Sequence, residues 1–197
     1  MPASSLSGRL PGAFYARSTV LVARALLGQR LVHALNGVRL SGLICETEAY
    51  GGPDDEASHA RRRTPRSEIM YGPPGRAYVY FIYGMYFCLN AVTEGDTHPG
   101  AVLIRAVAPE EGLAFMRDRR PGVPDLHLAD GPGKLCRALG ITGAHNGLDL
   151  TAGPELFIEA GSPAPDAEVM TTPRVGVRGG ALARSRPWRF VWQRHRG

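Results

Sequence analysis

Along most of the 197 residues, apolar positions either alternate with polar ones or cluster in short blocks, and the period of each stretch predicts an element. "TVLVARALL" (19–27) carries an apolar face broad enough for a helix packed on a sheet, with Ser18 as its N-cap and Gly28 as its stop. "RLVHAL" (30–35) and "VRLSGLICETEAY" (38–50) are β-patterned and joined by Asn36-Gly37, the dipeptide of a tight hairpin turn. A polar loop from Gly51 to Pro74 follows, punctuated by Pro53, Pro65, Pro73 and Pro74. Then "AYVYFIYGMYFCLNAV" (77–92) reads as a second hairpin, broken at Gly84, and "AVLIRAVAP" (101–109) as a further strand. "PEEGLAFMRDRR" (109–120) has acids early and bases late, as a helix would, and "PGKLCRALGI" (132–141) is a shorter helix ending at Gly140. "ELFIEA", "RVGV" and "WRFVW" supply short strands near the C-terminus. No repeat, low-complexity block or linker interrupts this order. The pattern predicts one α+β domain over residues 1–197, a curved, mostly antiparallel β-sheet with flanking helices and a protruding β-hairpin, with mobile ends at about 1–10 and 191–197.

Composition narrows the class. At 44% hydrophobic residues the chain is able to bury roughly 70% of its unfolded surface in one core. No run reaches about 18 apolar residues and "MPASSLSGRLPG" has no apolar signal segment, so a cytoplasmic protein without membrane association is expected. Cys45, Cys88 and Cys136 each sit in an apolar run without CxxC spacing, which points to buried free thiols rather than a disulfide framework or a zinc site. The net charge is +5, and Lys134 is the sole lysine among 23 basic residues. Arginine suits bidentate phosphate contacts, so an acidic polymer is a reasonable partner, although a coding bias would give the same count.

The chemistry concentrates in "ETEAYGGPDDEASHARRR" (46–63). Strand alternation puts Glu46, Glu48 and Tyr50 on one face, the two carboxylates about 7 Å apart. By itself this pattern fits either a solvated sheet edge or a pair of groups that hold water. Four tyrosines, Tyr78, Tyr80, Tyr83 and Tyr86, fall within ten residues with Phe81 and Phe87, more phenols than a core strand uses. Flat rings on a wet surface stack on nucleobases. Tyr83, beside Gly84-Met85 at a hairpin tip, has the place of a wedge between base steps. Three readings remain open from residues alone: a base-excising enzyme, a non-catalytic nucleic-acid-binding module, and a small glycoside hydrolase using Glu46 and Glu48.

The blocks "ETEAYGGPDDEASHA", "TPR", "YVYFIYGMYFCLN", "VLIRA", "GPGKLCRALGI" and "RVGV" closely resemble the alkyladenine, or methylpurine, DNA glycosylase family from about Leu10 to Phe190. The resemblance implies a monofunctional enzyme of base excision repair. Such an enzyme flips a damaged purine out of double-stranded DNA and hydrolyses its N-glycosidic bond without a metal or organic cofactor. It implies that Glu48 is the general base, that Arg105 helps hold the attacking water, and that Glu46 is an acidic neighbour without a chemical step. Tyr50, His59 and Tyr80 would sandwich the flipped base, and the amide of Asn90 would disfavour guanine. Tyr83 would enter the duplex, Met85 and Tyr86 would lie near phosphates, and Arg63, Thr64, Arg66 and Lys134 would contact DNA. The substrates implied are 3-methyladenine, 7-methylguanine, hypoxanthine and ethenoadenine, and the expected state is a monomer associated with the nucleoid. Two departures stand out: Ser67 replaces the asparagine common after "TPR", and "WRFVWQRHRG" lacks the usual Gly- and Ser-rich ending.

Overall fold

The hairpin dipeptides act as their conformations require. Asn36 (φ 50°) and Gly37 (φ 80°) both occupy left-handed backbone, which joins β1 (Arg30–Leu35) to β2 (Val38–Tyr50) with no spare residue. The computed structural model describes residues 8–95 and 97–195. Between β3 (Ala77–Ile82) and β4 (Tyr86–Gly95) a tight tip holds Tyr83 (φ 54°) and Gly84 (φ 68°). β5 (His98–Glu111), β6 (Leu156–Glu159), β7 (Val169–Thr172) and β8 (Arg189–Trp192) complete one eight-stranded sheet, six of its strands in the order β3-β4-β5-β2-β1-β6 and the other two, β8 and β7, branching from β2. Each pairing is antiparallel, in keeping with the α+β expectation.

β2 is the hinge of this arrangement. One edge pairs with β5 along its length, while the other is shared, β1 taking Val38–Leu43 and β8 taking Glu46–Glu48. Apolar residues of α1 (Gly12–Tyr15), α2 (Thr19–Ala25) and α4 (Pro132–Leu139) close the core over the sheet. α4 buries Leu135, Cys136, Ala138 and Leu139 on one face and ends at Gly140 in left-handed backbone, as its sequence predicts. The three cysteines are buried and form no disulfide. Among the described residues no helix is long and apolar enough to cross a membrane.

Three sequence expectations need correction. Pro109–Glu111 do not open a helix; they extend β5, and α3 covers only Leu113–Arg119. The acids that suggested a helix N-terminus serve the sheet instead: Glu110 pairs with Arg30, and Glu111 pairs with Arg39 and accepts from the Ser41 hydroxyl. "RVGV" is not a strand but a loop held by side-chain bonds, and β7 is the strand that pairs with β8. Ser18 precedes α2 but makes no side-chain cap; the Thr19 N–H is taken by Glu94 Oε1 at 3.1 Å. Of the segments expected to be mobile, 1–7 and 196–197 lie outside the described residues, whereas Leu10 is buried and Val191 and Trp192 are in β8.

Candidate active site

The ladder between β2 and β5 is irregular at Ile44–Thr47: Glu46 pairs with Ala106 and Thr47 with Ile104, so Arg105 falls between partners. Such irregularities re-aim side chains next to functional sites. Here the result is a buried ion cluster on the shared face of β2 and β5. Glu48 is fully buried, and its Oε2 accepts from the Tyr50 hydroxyl at 2.8 Å and from Arg105 Nη1 at 3.2 Å. Its Oε1 accepts from the Val175 N–H at 2.7 Å. Glu46 Oε1 receives Arg105 Nε at 2.8 Å and Arg189 Nε at 2.6 Å. The solvated-edge reading of Glu46 and Glu48 therefore fails.

Buried charges survive only when paired and hydrogen-bonded, and each one here is. Burial opposes the Arg105 charge, but the carboxylates of Glu48 and Glu46 outweigh it and raise the guanidinium pKa above its ordinary value. Burial, and then the Glu48 charge, push the Tyr50 phenol far above its usual range, so it stays a donor. A carboxylate offers about four acceptor positions. Three are filled at Glu48, which leaves one on Oε1.

Tyr50, Arg105 and Val175, the groups touching Glu48, all line a cleft of about 820 Å³, within the roughly 300–1,000 Å³ usual for small-ligand sites. Glu48 itself does not line the cleft and reaches it through these three groups. Across the cleft, His59 packs on Tyr80 with ring centroids 4.8 Å apart, and Tyr80 lies 5.2 Å from Tyr78. The Tyr78 hydroxyl meets His59 Nδ1 at 2.8 Å. His59 keeps an exposed edge, but its partial burial beside these rings, and then the Arg66 charge, lower its pKa from the ordinary histidine value. Asn90 is buried in the wall, and its amide donates to Tyr78 O at 3.1 Å. The cleft thus brings Tyr50, His59, Tyr80, Asn90 and Arg105 together in one lining.

The rim presents the hairpin tip. Tyr83 is 79% exposed and Met85 65%, with Tyr86 behind them against Gly133 of α4. A bulky residue held at positive φ and projecting into solvent is strain that the fold maintains at an exposed tip. Lys134 lines the same rim, with Nζ 2.8 Å from Asp130 Oδ1. Arg63 pairs with Glu68 beside the Tyr71 ring, and Thr64 is exposed. Arg66 departs from the picture of a purely phosphate-facing loop: its guanidinium lies over the Tyr80 ring at 4.8 Å, inside the cleft lining. Ser67 is fully buried and fills its structural place, donating to Arg62 O at 2.8 Å and accepting from the Thr64 N–H at 3.0 Å.

Sequence reasoning missed the support beneath Glu48. Asp55 and Arg174 form a buried bidentate pair at 2.6 and 2.8 Å, and Arg174 also holds Ala49 O and Ala183 O. This pair anchors the 174–177 loop, whose next residue, Val175, delivers its N–H to Glu48. The available signal was an acid within the Asp54-Asp55-Glu56 run of "PDDEASHA" and the single arginine of "RVGV".

A buried carboxylate held by three groups of an aromatic cleft, with an exposed tyrosine and cations at the rim, fits the class of enzymes that detach bases from nucleic acid. Comparison with known proteins gives the particular member of that class: the chain belongs to the methylpurine-DNA glycosylase family, whose profile matches residues 13–196. It is a DNA N-glycosylase of DNA repair. It is 56% identical over 185 residues to a protein of Anaeromyxobacter dehalogenans, covering 93% of this chain and 83% of that one. A Methanocella arvoryzae protein is 51% identical over 92% of this chain and 90% of its own, and one from Bacillus cytotoxicus 46% identical over 94% and 96%. All three bear the name "Putative 3-methyladenine DNA glycosylase".

Proposed function

We propose that the protein everts alkylated or deaminated purines, 3-methyladenine, 7-methylguanine, hypoxanthine and ethenoadenine among them, and hydrolyses their N-glycosidic bond with water held by Glu48. The observation that carries this is the Glu48 carboxylate, fixed by Tyr50, Arg105 and Val175 with one acceptor position left beneath the aromatic cleft. Tyr83 enters the duplex and fills the gap left by the everted nucleotide, while Tyr50, His59 and Tyr80 stack on the base. A cationic base such as 3-methyladenine is attracted by aromatic faces and leaves without prior protonation. The transition state has oxocarbenium character, and Glu48 both orients the attacking water, taking its proton, and offsets the growing positive charge of the sugar. Asn90, in the wall of the cleft, disfavours the exocyclic amino group of normal guanine through its amide.

Lys134 is the only lysine, and its ammonium is engaged with Asp130. A Schiff-base amine must be neutral and free. The enzyme is therefore proposed to be monofunctional, acting as a monomer on cytoplasmic DNA, with Lys134 holding a phosphate. The test is release of free base from duplexes carrying each of the four lesions, by wild type and by Glu48→Gln. Release by wild type and its loss in the variant, with retained DNA binding, is the expected result. Tight lesion binding with no release by either protein would favour the non-catalytic module instead. Strand cleavage of an abasic duplex that disappears in Lys134→Ala would overturn the monofunctional assignment.

A further inference from the structure

At the end of α4 away from the cleft, three segments distant in sequence bring ligand atoms together. His33 lies on β1, His145 closes a single 3₁₀ turn (Gly143–His145), and Glu155 immediately precedes β6. The two Nε2 atoms are 3.2 Å apart, and Glu155 Oε1 lies 3.6 Å from that of His33 and 3.5 Å from that of His145. Ligands bound tetrahedrally at about 2.0–2.1 Å stand roughly 3.3 Å from one another. The triangle therefore needs only small adjustments to hold one ion at its apex.

The surrounding hydrogen bonds are those of a ligand set. His33 Nδ1 donates to Leu139 O at 2.7 Å, which leaves its Nε2 lone pair directed at the other two groups. His145 Nδ1 lies 3.1 Å from Thr142 O and 3.0 Å from Thr142 N. Without an ion, His145 Nε2–H donates to His33, and Nδ1 accepts from the Thr142 N–H. Moving that proton to Nδ1, where it is donated to Thr142 O, frees the Nε2 lone pair for an ion at the cost of the Thr142 N–H contact. Two buried histidines beside a half-exposed carboxylate also leave one side of the triangle open to solvent.

We propose that His33, His145 and Glu155 form a structural site for a divalent transition metal, zinc by its ligand types, with the fourth position open to the surface. Two imidazoles and a carboxylate are a set that zinc accepts. The ion would staple β1, the 143–145 turn and the approach to β6 at the C-terminal end of α4. None of the three residues lines the cleft, so the proposal is independent of the glycosylase chemistry. The expectation of no zinc site rested on the cysteines, and this site uses none of them.

The test starts from chelator-treated protein titrated with zinc chloride, read by calorimetry and by thermal unfolding. Expected are one zinc per chain and an unfolding midpoint that climbs with zinc concentration. His145→Gln and Glu155→Gln, the second at an exposed position chosen to retain the fold, should each weaken zinc binding at least about 10-fold, the lower bound seen when even an outer-shell partner is lost. Both should flatten the zinc-dependent rise, while base release by the zinc-free wild type persists. Wild type that takes up no stoichiometric zinc overturns the proposal. So does equal affinity in wild type and both variants, which would place the ion on other side chains.

Discussion

Asp55→Asn tests whether the buried pair beneath the site holds the loop that orients Glu48. The substitution keeps the shape and removes the charge. In the native protein the Asp55 carboxylate receives both Nη atoms of Arg174 and the N–H groups of Gly51 and Ala57, at 3.0 and 3.2 Å. Arg174 is 5% exposed, so without that carboxylate its guanidinium has no route to water. Asn offers one acceptor atom where two were used, and turns an NH₂ toward a cation. Breaking a buried ion pair from one side costs about 3–5 kcal/mol. For a domain of this size that lowers the unfolding midpoint by roughly 6–20 °C.

The effect has a pH signature. Burial would raise the Asp55 pKa, but the hydrogen bonds and charge of Arg174 bring it below the ordinary carboxylate value. A group with a depressed folded pKa contributes fully above its unfolded pKa, about 3.9, and loses that contribution as pH falls through the folded value. The gap between wild type and Asp55→Asn should therefore be constant near pH 7 and narrow in acid below about pH 4. Circular dichroism melts at both pH values measure it. Single-turnover excision at a temperature where the variant is folded should fall too, because Val175 is anchored through Arg174. A midpoint within about 2 °C of wild type at pH 7, together with unchanged excision, would refute the reasoning.

The remaining predictions concern the face presented to DNA. Tyr83→Ala should leave stability within about 0.5 kcal/mol, since the side chain is 79% exposed, but weaken lesion-duplex binding by about 1–3 kcal/mol in fluorescence anisotropy; unchanged affinity would remove the wedge role. Lys134→Ala should reduce the slope of log affinity against log salt by about 1, and an unaltered slope would mean that Asp130 keeps the ammonium from DNA. Gly133→Ala sets a Cβ 2.8 Å from the Tyr86 ring, so the hairpin tip must shift, at a cost of about 1–3 kcal/mol and a loss of DNA affinity. Equal melting and equal affinity would show that the tip yields freely.

Local pattern was enough for the parts of this protein whose structure is local. Asn36-Gly37 and Gly84 mark two hairpins because left-handed turn backbone favours glycine and asparagine, and α4 follows from an apolar stripe between Pro132 and Gly140. Strand alternation likewise placed Glu46, Glu48 and Tyr50 on one face, and the quoted blocks pointed to the family. Tertiary structure decided everything that depends on charges meeting across the chain. Pro109–Glu111 became strand because they continue the β5 ladder against Ser41 and Gly42 of β2, where Arg30 and Arg39 meet their carboxylates. "RVGV" became a loop because Asp55 captures Arg174, and Arg66 turned into the cleft over Tyr80. His33, His145 and Glu155 share no local signature at all. Propensity and alternation act over a few residues, whereas a buried ion pair or ligand set is stabilised only once the sheet brings its members within bonding distance.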